Sequence, residues 1–221
     1  MASFLQGVRD LTTKYGLPLI FDEVVTGFRF AYGGAQEHYG VTPDLASVGK
    51  IGGGGYPLAA VVGKEEFMAP FVKPDADCMV VGQVGTLNGN PVAAAAGLAT
   101  LRVLRQPVSY ERLHETGKRV REQLAATLRE HGVAGNVVGD GPIFQVYFNE
   151  RESVRTYRDT LDHDADKNRL FHDALLKNGI LKSASKDYIS LAHSDEDLEK
   201  TAHVFDQAMS EVAKASEGSA S

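Results

Sequence analysis

Between Phe4 and Val62, short apolar runs alternate with a helix-spaced pattern and glycine-rich turns. This alternation restricts the fold more than any single residue does. Phe4, Leu5, Val8 and Leu11 recur at the spacing of one helix face, and Gly16 follows as a stop signal. Leu17-Pro-Leu-Ile-Phe21 then reads as a short buried strand running into Asp22-Glu23. A helix that leads into a buried strand is the pattern of a parallel sheet covered by helices. By the same reading Asp44–Val48 and Pro57–Val62 are two further strands, short, apolar and beside glycines. Asn90–Leu104 is an alanine-rich helix opened by Pro91, whose missing N–H is harmless in a first turn.

The texture changes near Gln106-Pro107. Tyr110–Arg129 reads as an amphipathic helix, Pro142–Phe148 and Tyr188–Ala192 as strands, and Asp166–Lys177 and Ser194–Val212 as helices. Ser194 is a good N-cap, and Asp195, Glu196 and Asp197 suit the positive end of the helix dipole. A chain of 221 residues can build two cores. The expected division is an α/β block over residues 1–105 and a smaller α+β block over 106–221, with the 110–129 helix assignable to either. The small, polar tail Ala213–Ser221 is expected to fray.

Composition removes several functions. A net charge of −6 with no basic stripe gives phosphate backbones nothing to hold, so nucleic acid is not an expected partner. The longest apolar stretches, Leu58–Gly63 and Val92–Leu98, fall far short of the roughly 20 residues that cross a bilayer. The first ten residues lack the charged-then-apolar order of a signal peptide. Cys78 has no second cysteine to pair with, which suits an inert thiol in a reducing cytoplasm. The seven histidines do not fall at metal-ligand spacing, and no Gly-x-Ser-x-Gly elbow is present. His193 is read as a structural, hydrogen-bonding histidine.

Three features carry chemistry together. Asp22-Glu23 closes a strand, where ligands of open α/β sheets sit and where a carboxylate could hold a cationic ring nitrogen. Alone, such an acid reads first as an ordinary solvated loop residue. Lys50 follows a strand and precedes the glycines Gly52–Gly55, which let backbone approach a ligand closely. A lysine that forms a Schiff base must lie against its cofactor; taken alone, Lys50 reads first as a surface lysine beside a flexible loop. Its position before the glycines is not that of a phosphate-binding P-loop. Gly82-Gln-Val-Gly-Thr-Leu-Asn-Gly-Asn-Pro91 presents backbone N–H groups and a threonine hydroxyl ahead of a helix, which makes either an anion site or a capped loop.

In combination these segments resemble the class III pyridoxal-phosphate-dependent aminotransferases. The resemblance rests on Leu19-Ile-Phe-Asp-Glu-Val-Val-Thr-Gly-Phe-Arg29, Tyr39-Gly-Val-Thr-Pro-Asp44, Val48-Gly-Lys-Ile-Gly-Gly-Gly-Gly-Tyr-Pro-Leu-Ala-Ala60 and Gly85-Thr-Leu-Asn-Gly-Asn-Pro91, in that order. Arg29, Gly33-Gly-Ala-Gln36 and Ser190-Leu-Ala-His-Ser-Asp-Glu-Asp197 look most like the glutamate-1-semialdehyde 2,1-aminomutase branch. Lys182-Ser-Ala-Ser-Lys-Asp-Tyr188 departs from that branch and favours an aminotransferase relative. Lys182 or Lys186 is there to meet an anionic substrate, or else is a solvated loop charge.

The resemblance implies a partial fold-type I large domain, a mostly parallel sheet with helices, followed by a smaller α+β C-terminal domain. It implies that Lys50 forms the internal aldimine with pyridoxal 5'-phosphate and moves the substrate α-proton. It further implies that Asp22 pairs with the pyridine nitrogen and Val24 packs on the ring. Gly85 and Thr86 then bind the phosphate of the neighbouring subunit, which makes the enzyme a homodimer with shared active sites. An amino acid or amine is the implied donor, and a keto acid or aldehyde the acceptor. The chain resembles only the C-terminal part of such enzymes, so inefficient catalysis is expected of it alone. The alternatives are a true aminomutase, or a non-catalytic dimerising fragment or subunit of a split enzyme that needs an N-terminal half.

Overall fold

A computed structural model describes residues 2–72, 80–183 and 185–218. Cys78 and the last residues of the tail lie outside the described residues. The chain forms two compact units, Met1–Tyr110 and Glu111–Ser221.

In the first unit, α1 (Ala2–Lys14) closes with Gly16 N–H on Thr13 O at 3.2 Å and Leu17 N–H on Thr12 O at 2.9 Å. Strand β1 (Ile20–Glu23) begins later than the apolar run at Leu17, beyond Pro18, which has no N–H for a ladder. It pairs in parallel with β2 (Leu45–Val48), with Asp22 opposite Ser47 and Glu23 opposite Val48. Strand β3 (Ala60–Gly63) pairs with β2 in the opposite direction. The connection from Gly49 to Ala59 holds a 3₁₀ turn and no α-helix of the kind that usually carries a parallel crossover. The mostly parallel sheet is thus represented here by β1–β2, with an antiparallel strand beside it. Burial is also less even than the apolar runs suggest. Ala46 in the central strand is 1% exposed, whereas Ile20 and Val61 on the outer strands are 62% and 50% exposed.

Helices α2 (Gly34–Tyr39), α3 (Glu65–Val72) and α4 (Pro91–Leu104) complete this unit. As expected, Pro91 sits in the first turn of α4, and Asn90 Oδ1 accepts Val92 N–H at 2.9 Å and Ala93 N–H at 3.1 Å. Buried Asp44 ties the elements together. It accepts Leu19 N–H at 2.7 Å and pairs with Lys64 at 2.5 Å and Arg9 of α1 at 2.8 Å. Those donors, Leu19 N–H foremost, hold its carboxyl well below the usual carboxylate range.

Most of α5 (Pro107–Glu130) lies in the second unit, with β4 (Asn136–Asp140), β5 (Ile143–Tyr147), α6 (Ala165–Lys177), β6 (Asp187–Tyr188) and α7 (Asp195–Gly218). The three strands form one antiparallel sheet in the order β4-β5-β6. Strand β6 stops at Tyr188 rather than running to Ala192. There the side chains of Ser190 and His193 take over the backbone, accepting Ala192 N–H at 3.2 Å and Ser190 N–H at 3.3 Å. Ser194 caps α7 as expected: its Oγ accepts Asp197 N–H at 3.2 Å while Asp197 Oδ2 accepts Ser194 N–H at 2.8 Å. The helix continues past Val212 to Gly218, through residues expected to fray, of which Ala213, Lys214, Ala215 and Glu217 have good helix propensity. Phe148, Phe171, Leu175, Met209 and Val212 form the core, with the Phe148 and Phe171 rings 5.7 Å apart edge to face. Among the described residues no helix is long and apolar enough to cross a membrane.

Candidate active site

The neighbouring acids Asp22 and Glu23 have opposite fates. Side chains alternate along a strand, so one of the pair must face inward. Glu23, 1% exposed, accepts Ala35 N–H at 2.6 Å, Gln36 N–H and Gln36 Nε2 each at 3.1 Å, and Thr26 Oγ1 at 3.1 Å. A Cβ on Gly34 would collide with this carboxylate. The stretch Gly34–Gln36 is therefore a cradle for Glu23. Asp22 is exposed, and its Oδ1 accepts Val24 N–H at 3.1 Å and the Ser47 hydroxyl at 3.2 Å. Two fixed donors on one oxygen aim the carboxylate and leave Oδ2 available to a ligand.

Lys50 lies just beyond the end of β2, as the first residue of a 3₁₀ turn over Lys50–Gly53. Its side chain is exposed, and its backbone is left-handed with φ 45°. Because β1 and β2 are parallel, Asp22 and Lys50 share the carboxyl end of the sheet, where α/β folds place their ligands. Val24 belongs to the same place: a Cβ added to Gly49 would lie 3.8 Å from Val24 Cγ1. Asp22, Val24 and Lys50 thus gather at one strand end. Gly85 and Thr86 lie on an exposed loop before α4, where Gly85 O accepts Asn88 N–H at 3.0 Å.

Two partners of this site were not singled out by the sequence. Ser47 contacts Asp22 only because the β1–β2 register sets them opposite each other. Phe28, which has φ 58° and lies beneath the turn at Gly52, carries no local signal for that conformation.

In the second unit, Lys182 and Asp187 line a cavity of about 640 Å³. Lys182 is not a solvated loop charge. Its side chain is 7% exposed, donates to Ser183 O at 3.0 Å and lies 3.7 Å from Asp187 Oδ2. Burial pushes the Asp187 carboxyl up to about 6, with Lys182 acting against the rise. Lys186 is exposed.

An amine and an aimed carboxylate at the carboxyl end of parallel strands define a class of α/β site suited to an electrophilic, cationic-ring ligand. The chain belongs to the class-III aminotransferase family, whose sequence model matches residues 1–214. It is 42% identical over 214 residues to glutamate-1-semialdehyde 2,1-aminomutase of Natranaerobius thermophilus, covering 96% of this chain and 49% of that protein. An omega-transaminase from Sphaerobacter thermophilus superposes with a TM-score of 0.84 at 35% identity, over 96% of this chain and 48% of that one. A transaminase with PLP bound superposes equally well, TM-score 0.84, at 29% identity over 96% and 48% of the two chains. The chain spans about half the length of the curated relatives it matches.

Proposed function

We propose that this chain supplies the lysine-bearing part of a pyridoxal 5'-phosphate-dependent enzyme that transfers amino groups, with Lys50 as the residue that holds the cofactor. The observation that carries this reading is the joint placement of Asp22, Val24 and Lys50 at the carboxyl end of β1–β2. The residues present fit the group: an exposed amine for its aldehyde, an aimed carboxylate for its ring nitrogen, and the apolar, branched Val24 side chain for its ring face.

When bound, the cofactor supplies an electrophilic carbon and a ring that takes up the electron pair left by a departing α-proton. Lys50 Nζ would hold it covalently and would be the base that accepts the proton at the substrate α-carbon. Asp22, fixed by Val24 N–H and Ser47, is the carboxylate that would hold the protonated ring nitrogen. Gly85 and Thr86 offer an N–H-rich loop and a hydroxyl to a phosphate of the partner subunit in a homodimer with shared sites. An amino acid or amine is the donor and a keto acid or aldehyde the acceptor, in a reducing cytoplasm that suits the single cysteine.

The relatives named as aminomutases support a second reading, in which the amino group moves between adjacent carbons of one substrate. Release of α-deuterium from a labelled amino acid tests the main reading. With cofactor present, the chain should speed release beyond the cofactor alone, and Lys50→Ala should not. Equal release by both chains would overturn it. An amino shift in a single substrate without an acceptor would select the aminomutase.

A further inference from the structure

Phe28 and Lys50 are the non-glycine residues with positive φ among the described residues, at 58° and 45°. Both conformations are unfavourable for residues with a Cβ, and such strain persists only where the surroundings over-determine it. The two are physically connected. A Cβ added to Gly52, two residues after Lys50, would lie 3.2 Å from Phe28 Cε2, so the Phe28 ring is the wall on one side of the turn.

Helix α4 is a second wall. A Cβ on Gly97 would meet Gly52 O and Leu58 Cδ2, each at 2.6 Å, and one on Gly54 would collide with Thr100 Oγ1 and lie 2.9 Å from Ala96 O. Glycine at these positions is what allows the turn and the helix to touch. Phe28 is itself anchored. Its carbonyl accepts the Tyr110 hydroxyl at 3.1 Å, and its ring meets Tyr32 edge to face at 5.9 Å. Burial pushes Tyr110 up to about 12, so the hydroxyl keeps the proton it donates.

We propose that Phe28 is a positioning residue for Lys50: its ring and helix α4 clamp the turn between them, and the clamp holds Lys50 in the left-handed conformation that sets where its side chain leaves the end of β2. Phe28 touches neither substrate nor cofactor in this account. The inference rests on the reading of Lys50 as the cofactor lysine.

The test compares the wild-type 221-residue chain with Phe28→Ala, Gly52→Ala, the double substitution and Tyr110→Phe. One readout is borohydride trapping of pyridoxal phosphate on Lys50 relative to the other lysines. The other needs no cofactor: the pH profile of Lys50 acetylation by competitive labelling. Circular dichroism reports folding. Phe28→Ala and Gly52→Ala should each lower trapping at Lys50 by about tenfold and shift its acetylation profile, as expected for a misplaced reactive group. Gly52→Ala should cost little more once the Phe28 ring is gone, because the tight contact it creates is with that ring. If Phe28→Ala does not fold, Gly52→Ala and Tyr110→Phe should still move both Lys50 readouts. Wild-type trapping and acetylation in these variants would overturn the clamp. Absence of trapping on Lys50 in the wild-type chain would instead overturn the cofactor reading, with the acetylation profiles still judging the clamp by themselves.

Discussion

At the scale of residues, the division of labour between Asp22 and Glu23 is open to direct test. Glu23 is buried with four donors on its carboxylate, and removing it strands them. Glu23→Ala should therefore destabilise the chain by about 3 kcal/mol or more in urea unfolding. Asp22→Ala removes an exposed group and should change stability by no more than about 1 kcal/mol, while weakening cofactor binding in an absorbance titration. The reverse pattern would reassign the two acids. Asp44 sets a pH dependence. Its folded-state carboxyl titrates below the usual range, chiefly through Leu19 N–H, with Lys64 and Arg9 assisting. Its stabilising contribution is therefore present above the ordinary carboxylate pKa of about 4 and is lost as pH falls through the lower folded value. The melting temperature of Asp44→Asn should lie furthest below wild type near neutral pH, and the gap should close as the solution is acidified. A gap that stays constant with pH would contradict this.

At the scale of elements, much of the architecture was legible. The periodicity of Phe4, Leu5, Val8 and Leu11 announces α1, Pro91 marks the start of α4, and Ser194 marks that of α7. What escaped depends on contacts distant in sequence. Helix α2 is short and begins with glycine, and the carboxylate that accepts its first N–H groups comes from β1. Strand β4 contains only two adjacent apolar residues, Val137 and Val138, and gains its identity from pairing with β5. Lys50 and Asp22 were legible as residue types in order, whereas Ser47 and Phe28 become part of the site only through register and backbone strain. Two helix glycines separate local propensity from packing. Gly7 in α1 has open space where a Cβ would go, so Gly7→Ala should stabilise by about 0.5–1 kcal/mol. Gly97 in α4 faces Gly52 O and Leu58, so Gly97→Ala should destabilise by about 1–3 kcal/mol despite the gain in propensity. Unfolding midpoints that move the same way for both would contradict the close approach of α4 to the turn.

At the scale of the whole molecule, two compact units divide the work. Met1–Tyr110 carries the residues proposed to engage the cofactor, and Glu111–Ser221 builds its own core on Phe148, Phe171 and Leu175. Family membership covers both, since the class-III aminotransferase model matches residues 1–214. The most direct test of the central claim is to reduce the wild-type chain with borohydride in the presence of pyridoxal phosphate and map the modified peptide. The reduced cofactor should be found on Lys50, and should be lost from that peptide in Lys50→Ala. Label spread evenly over the surface lysines, with Lys50 no more modified than the rest, would contradict it.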